Sequence, residues 1–183
     1  MKRYLTIAAL VVVLVCVALL GARIREGMKA RRAIADRITT LPEFELATLE
    51  GQRFDSEDLP TDRPVVLVYF TTVCPYCQSE LSSIRQHVEL KRQGSFLMIS
   101  HESPDVLQEY HEIESLDEEQ YMPIFWDSLG VVHRQFGVSI VPSTFIYGTD
   151  RRLVKKFTGE TSADIIYQVL MESVSDKAPV ESQ

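Results

Sequence analysis

The chain has 183 residues, enough for one domain with a buried core plus a short appendage. Its net charge of −7 is unevenly spread, with +6 over residues 1–40 and −13 over the remainder. A soluble part this acidic lacks the basic face that nucleic-acid phosphates demand, so nucleic acid is excluded as a partner.

After a short tail at 1–3, residues 4–22, YLTIAALVVVLVCVALLGA, carry no charge and match the roughly 17–25 apolar residues a helix needs to cross a bilayer. Cleavage as a signal peptide needs small residues at the end of the run, and Cys16-Val17-Ala18 and Leu20-Gly21-Ala22 fit poorly. Lipid attachment at Cys16 is opposed by the large Val15 before it. The run reads as an uncleaved, single-pass membrane anchor, with Cys16 as lipid-compatible filler. Residues 23–40 read as a basic juxtamembrane linker suited to a membrane surface, with a spacer helix, favoured by good helix formers and the lack of proline, as the alternative. On the positive-inside rule alone, the arginines and lysines after the run favour a cytoplasmic domain, against the chemistry argued below.

The folded domain is expected over 41–174, with a disordered tail at 175–183. FELATLEGQRF alternates around Glu50-Gly51 like a hairpin, and FDSEDLP offers a short turn or helix. Pro64 leads into VVLVYF, apolar on both faces and so a buried parallel strand. A helix is expected from Pro75 to about Gln93, stopped by Gly94, with Leu81, Ile84, Val88 and Leu90 as its apolar positions. SFLMIS is a second buried strand, SPDVLQEYHEIESLDEEQ an acidic helix, PIFWDS a third strand, and LGVVHRQFGV a short helix ending at Gly137. VPSTFIYGTDRRLVKKFTG reads as two strands joined at Gly148-Thr149-Asp150. A last helix, from about Ser162 to Ser173, carries Ile165, Ile166, Val169 and Leu170 on one side. This order describes an α/β domain, a central mixed sheet with helices on both faces.

TTVCPYCQSE, residues 71–80, holds two cysteines with Pro75 and Tyr76 between them. A closed zinc site needs four ligands; there is one cysteine pair, and His87, His101, His111 and His133 are scattered without ligand spacing. A structural disulfide across so short a span removes little chain entropy. A redox pair explains the placement: Cys74 ends a buried strand at a helix N-terminus, where unpaired N–H groups and the helix dipole favour a negatively charged sulfur. Cys77, one turn further in, is placed to resolve a mixed disulfide by intramolecular attack. Pro75 suits the first helical position, where it sacrifices no hydrogen bond.

From about Leu41 to Ser173 the sequence resembles the membrane-anchored thioredoxin-like proteins of the TlpA/ResA type. The resemblance rests on the anchor, the FELATLEGQRF hairpin, VVLVYFTTVCPYC, the inserted segment around Pro104 to Trp126 and, most specifically, FGVSIVPSTFIY. It implies a thioredoxin fold with an N-terminal hairpin extension, and a thiol–disulfide oxidoreductase working outside the cytoplasmic membrane. It implies a cis Val141–Pro142 bond facing the dithiol, and it gives Glu80 a role in the dithiol's protonation. Acids in first helical turns are also common for dipole reasons alone.

The sequence departs from thioredoxins proper at Val68 and Val73, where a buried aspartate and a tryptophan are usual. The CPYC dipeptide is familiar from glutaredoxins, but no basic glutathione-binding pattern accompanies it. TxxC at 71–74 imitates part of a peroxiredoxin site, whose upstream proline would fall at Leu67. The resemblance favours reduction of extracytoplasmic protein disulfides, with apocytochrome c cysteines one substrate class, a membrane electron donor upstream and no dissociable cofactor. The alternatives are a thiol oxidase or isomerase of the same fold, or a thioredoxin-like binding module without turnover.

Overall fold

The computed structural model describes residues 2–114 and 122–175, with side chains described over 14–114 and 122–173. The tail beyond 175, expected to be disordered, and residues 115–121, which include the end of the segment expected as an acidic helix, lie outside the described residues. The chain divides into two compact units, one ending at Asp36 and the other beginning at Arg37.

The first unit is helical: α1, Lys2–Arg37, fills it and ends one residue beyond it. The segment expected as a linker after residue 22 therefore continues as helix, consistent with its good helix formers and its lack of proline. The anchor reading at 4–22 falls largely on residues whose side chains lie outside the described set. Among the described residues, no helix is long and apolar enough to cross a membrane.

The second unit is a seven-stranded mixed sheet. Its strands are β1 (Glu45–Thr48), β2 (Arg53–Asp55), β3 (Val65–Tyr69), β4 (Ser95–Ser100), β5 (Ile124–Trp126), β6 (Ser143–Tyr147) and β7 (Leu153–Thr158), in the spatial order β2-β1-β5-β4-β3-β6-β7. The β3, β4 and β5 strands run parallel, while β6 lies antiparallel to β3 and β7 antiparallel to β6. The hairpin forms around Gly51, whose φ of 80° favours glycine. The hairpin extends the main sheet, because β1 pairs antiparallel with β5 at its edge.

The helices are α2 (Pro75–Gln86), α3 (Val88–Gln93), α4 (Pro104–Ile113), α5 (Val131–Gln135) and α6 (Ala163–Ser175). The single helix expected through Gln93 breaks at His87, with φ −91° and ψ 88°. The His87 Nδ1 accepts from Leu90 N at 3.0 Å and so caps the second segment.

All five residues of β3 are buried, and period two sends them to opposite faces. Val66, Val68 and Phe70 pack with Leu81, Ile84, Leu90, Ile166 and Leu170 from α2, α3 and α6. Across the sheet, Phe136, just after α5, meets Phe145 edge-on at 5.0 Å and Phe44 at 5.9 Å. Burying one such aliphatic or aromatic side chain contributes roughly 1.5–3 kcal/mol. Ile165, expected on the packed side of the last helix, is instead exposed, while Ile166 and Leu170 are fully buried.

Candidate active site

The parallel strand β3 delivers the chain at its C-terminal end to Thr71, and α2 begins four residues later. Cys74 occupies the N-cap position with extended backbone, φ −85° and ψ 114°, and its carbonyl accepts Gln78 N at 3.1 Å. Pro75 takes the first helical position as expected. The Cys74 side chain makes no capping hydrogen bond to the first N–H groups of the helix. Cys74 is half-buried and Cys77 is fully buried; both thiols are free. Tyr76 and Val73 flank Cys74 on the surface, 64% and 81% exposed.

The Val141–Pro142 bond is cis, and the Cys74 thiol donates to the Val141 carbonyl at 3.9 Å. Two residues far apart in sequence are thereby brought onto one another. Two bonds brace this loop: the Ser143 hydroxyl donates to Ile140 O at 2.7 Å, and Gly159 N donates to Pro142 O at 2.9 Å.

Behind the cysteines lies Glu80, with no solvent exposure. Its Oε1 accepts the Thr144 hydroxyl and its Oε2 accepts Thr161 N at 2.8 Å. Burial pushes its carboxyl up to about 7, and the two hydrogen bonds pull the other way. Burial likewise pushes the Cys77 thiol up to about 12, with the neighbouring Cys74 and the Glu80 charge adding to the rise. Val68, the strand position where thioredoxins carry an acid, lies opposite Thr144 across the β3–β6 ladder. The acid therefore approaches Cys77 from the helix rather than from the strand.

The sequence reading missed a second carboxylate. Glu102, just past β4, accepts Thr72 N at 2.7 Å and the Thr72 hydroxyl at 3.0 Å, while Gln78 Nε2 donates to Thr72 O at 2.6 Å. Every polar group of Thr72 is thus engaged, two residues before Cys74. An acid directly after a parallel strand was the available signal, because functional groups gather at the carboxyl ends of such strands. Thr144 was also missed: a buried polar residue in an apolar strand has to find a partner.

The histidines go elsewhere. His87 caps α3, and His101 and His133 lie against Tyr69, at 6.3 and 5.8 Å between ring centroids. Tyr69 in turn donates to Asp127, whose carboxylate accepts Val132 N and His133 N at the start of α5. A hollow of about 230 Å³, lined by Phe54, Leu59, Arg63, Phe96 and Phe125, also touches Gly94 and Ser95 at the start of β4. It therefore opens at the opposite end of the parallel strands from the dithiol.

A mixed sheet of this topology with CxxC at a helix N-terminus, facing a cis-proline loop, defines the thiol–disulfide oxidoreductases of thioredoxin-like fold. Within that class the chain belongs to the AhpC/TSA family, whose model matches residues 39–156. Solved structures share the fold. A secreted disulfide oxidoreductase of Mycobacterium tuberculosis, homologous to E. coli DsbE, is 23% identical over 75% of this chain and 98% of that one, with a TM-score of 0.60. Peroxidoxin BcpB of the same organism is 24% identical over 76% and 96%, with a TM-score of 0.61. StoA of Bacillus subtilis is 17% identical over 72% and 98%, with a TM-score of 0.58. A comparison with curated proteins returns no match.

Proposed function

We propose that the protein is a membrane-anchored reductase of extracytoplasmic protein disulfides, of the TlpA/ResA type. The observation that carries this reading is the pairing of a half-buried Cys74 against the Val141 carbonyl with a fully buried Cys77 behind it. Cys74 attacks one sulfur of the substrate disulfide and Cys77 resolves the mixed disulfide. Pro142 and the exposed Val73 and Tyr76 shape the surface the substrate meets. Glu80, buried and near Cys77 on the same helix face, receives the Cys77 proton.

The chemistry needs no dissociable cofactor. Electrons return to the Cys74–Cys77 disulfide from a membrane donor, and apocytochrome c cysteines are one substrate class. The uncharged run at 4–22 supports the anchor, and a tethered dithiol is most useful where disulfides persist, which favours the extracytoplasmic side. Accessibility of a C-terminal tag on intact cells tests the topology; a protected tag overturns it.

A disulfide-reduction assay with measurement of the Cys74/Cys77 potential tests the activity. A potential between that of thioredoxin, about −270 mV, and the glutaredoxins, about −200 to −230 mV, supports a reductase. A value far above that range favours an oxidase or isomerase, and absence of turnover favours a binding module.

The family match favours one second reading, reduction of peroxides. Cys74 would then attack the O–O bond, becoming a sulfenic acid as the other oxygen leaves as alcohol or water, and Cys77 would convert the sulfenic acid to a disulfide with release of water. Hydrogen peroxide consumption faster than disulfide reduction would select it. Leu67, where the peroxiredoxin proline would fall, is buried inside β3 and argues against it.

A further inference from the structure

Thr144 lies in β6, two residues past Pro142, with no solvent exposure. Its cross-strand neighbours are Val68 on β3 and Phe157 on β7. A hydroxyl in such surroundings is costly unless hydrogen-bonded, and a valine fills the same space without that cost. Here the hydroxyl donates to Glu80 Oε1, across 64 residues of sequence.

We propose that Thr144 is a positioning residue for the proton transfer that accompanies resolution, fixing Glu80 Oε1 and holding that carboxyl ready to accept the Cys77 proton. The inference rests on the dithiol reading above. Once Cys74 is joined to a substrate sulfur, the Cys77 S–H proton passes to Glu80. The freed sulfur lone pair forms the Cys74–Cys77 bond, and the Cys74–substrate bond breaks. Its electron pair leaves on the substrate sulfur, which is protonated from water. The dithiol is oxidised by two electrons, and the substrate disulfide has become two thiols.

A hydroxyl suits both ends of this transfer. It donates to the carboxylate before the proton moves and accepts from the carboxylic acid afterwards. Thr161 N–H can only donate, so it favours the ionised form without following the proton. The other groups that bear on Glu80 are named by the packing. Cys77 shares its helix, and Glu160, in the segment before α6, opposes its ionisation. Tyr110 of α4 interacts with Cys77 from its own element. Thr144 is the β6 contribution, and it favours the ionised carboxylate against burial and Glu160.

The test uses the full chain, reduced, mixed with the aromatic disulfide dithiobis(nitrobenzoate). Its first coloured thiolate reports attack by Cys74 and its second reports resolution by Cys77. Losing a hydrogen bond to an ionised group moves the titration of Glu80 upward, so in Thr144→Val the pH midpoint of the second phase rises by about one unit. Thr144→Ser, which keeps the hydroxyl, superimposes on the unaltered protein. Where the valine variant fails to fold, Thr144→Ala carries the same measurement. A second phase in Thr144→Val or Thr144→Ala that follows the unaltered profile overturns the assignment, as does an equal shift in Thr144→Ser. A missing second phase in the unaltered protein overturns the dithiol reading itself, and this inference with it.

Discussion

Glu102 reaches back from the end of β4 to hold Thr72, taking its backbone N–H at 2.7 Å and its hydroxyl at 3.0 Å. The nucleophile's loop is thereby fixed through Thr72, two residues before Cys74. Glu102→Ala removes both bonds, and a third that its Oε2 accepts from the Ser100 hydroxyl, at a cost of about 1–3 kcal/mol in urea unfolding. It should also slow the first reaction phase, attack by Cys74, by roughly tenfold, because small misplacements of a reacting group are expensive. Glu102→Gln, which keeps one acceptor oxygen, should fall between. A loop that works equally well without Glu102 would leave the clamp a purely structural feature.

The two thiols should differ sharply toward an alkylating agent. Cys77 has no solvent exposure and its thiol is pushed up to about 12, so at pH 8 iodoacetamide should modify Cys74 and spare Cys77. In Cys74→Ser, Cys77 should stay unmodified in the folded protein and react only in urea. Peptide mapping by mass checks both statements.

Glu80 makes stability depend on pH in a defined direction. Its carboxyl is raised in the folded protein from 4.5 to about 7, so between those values the folded state binds more protons than the unfolded one. Stability from this group is fully present below the unfolded value and is lost as pH rises through about 7. The change is on the order of 3 kcal/mol at most. Thermal unfolding of Glu80→Gln should lose most of this dependence. A variant that keeps the full slope between pH 5 and 8 would place its origin elsewhere.

Phe136 is fully buried between Phe44 and Phe145, on the sheet face away from α2. Phe136→Ala should destabilise the domain by about 3–5 kcal/mol in chemical denaturation. The pH profile of the resolving step should stay where it was, since the cavity opens on the other side of the sheet from Glu80.

Much of this arrangement is written locally in the sequence. VVLVYF reads as a strand buried on both faces, and CPYC just after it puts one cysteine at the helix start and the other inside. VPST marked the loop that meets Cys74. What local patterns could not carry are partnerships closed by the tertiary fold. Thr72 with Glu102, 30 residues apart, and Glu80 with Thr144, 64 apart, are examples. The break at His87 depends on a side chain turning to cap Leu90 N, which apolar periodicity does not register. The pairing of β1 with β5 depends on an exposed sheet edge accepting the hairpin, and alternation within the hairpin says nothing of that.

The most direct test of the account is the product formed when Cys77→Ser is incubated with a disulfide-bearing peptide. The account predicts one stable mixed disulfide, mapped to Cys74, which the unaltered protein resolves and does not accumulate. Absence of an adduct, or an adduct at Cys16 in place of Cys74, would contradict it.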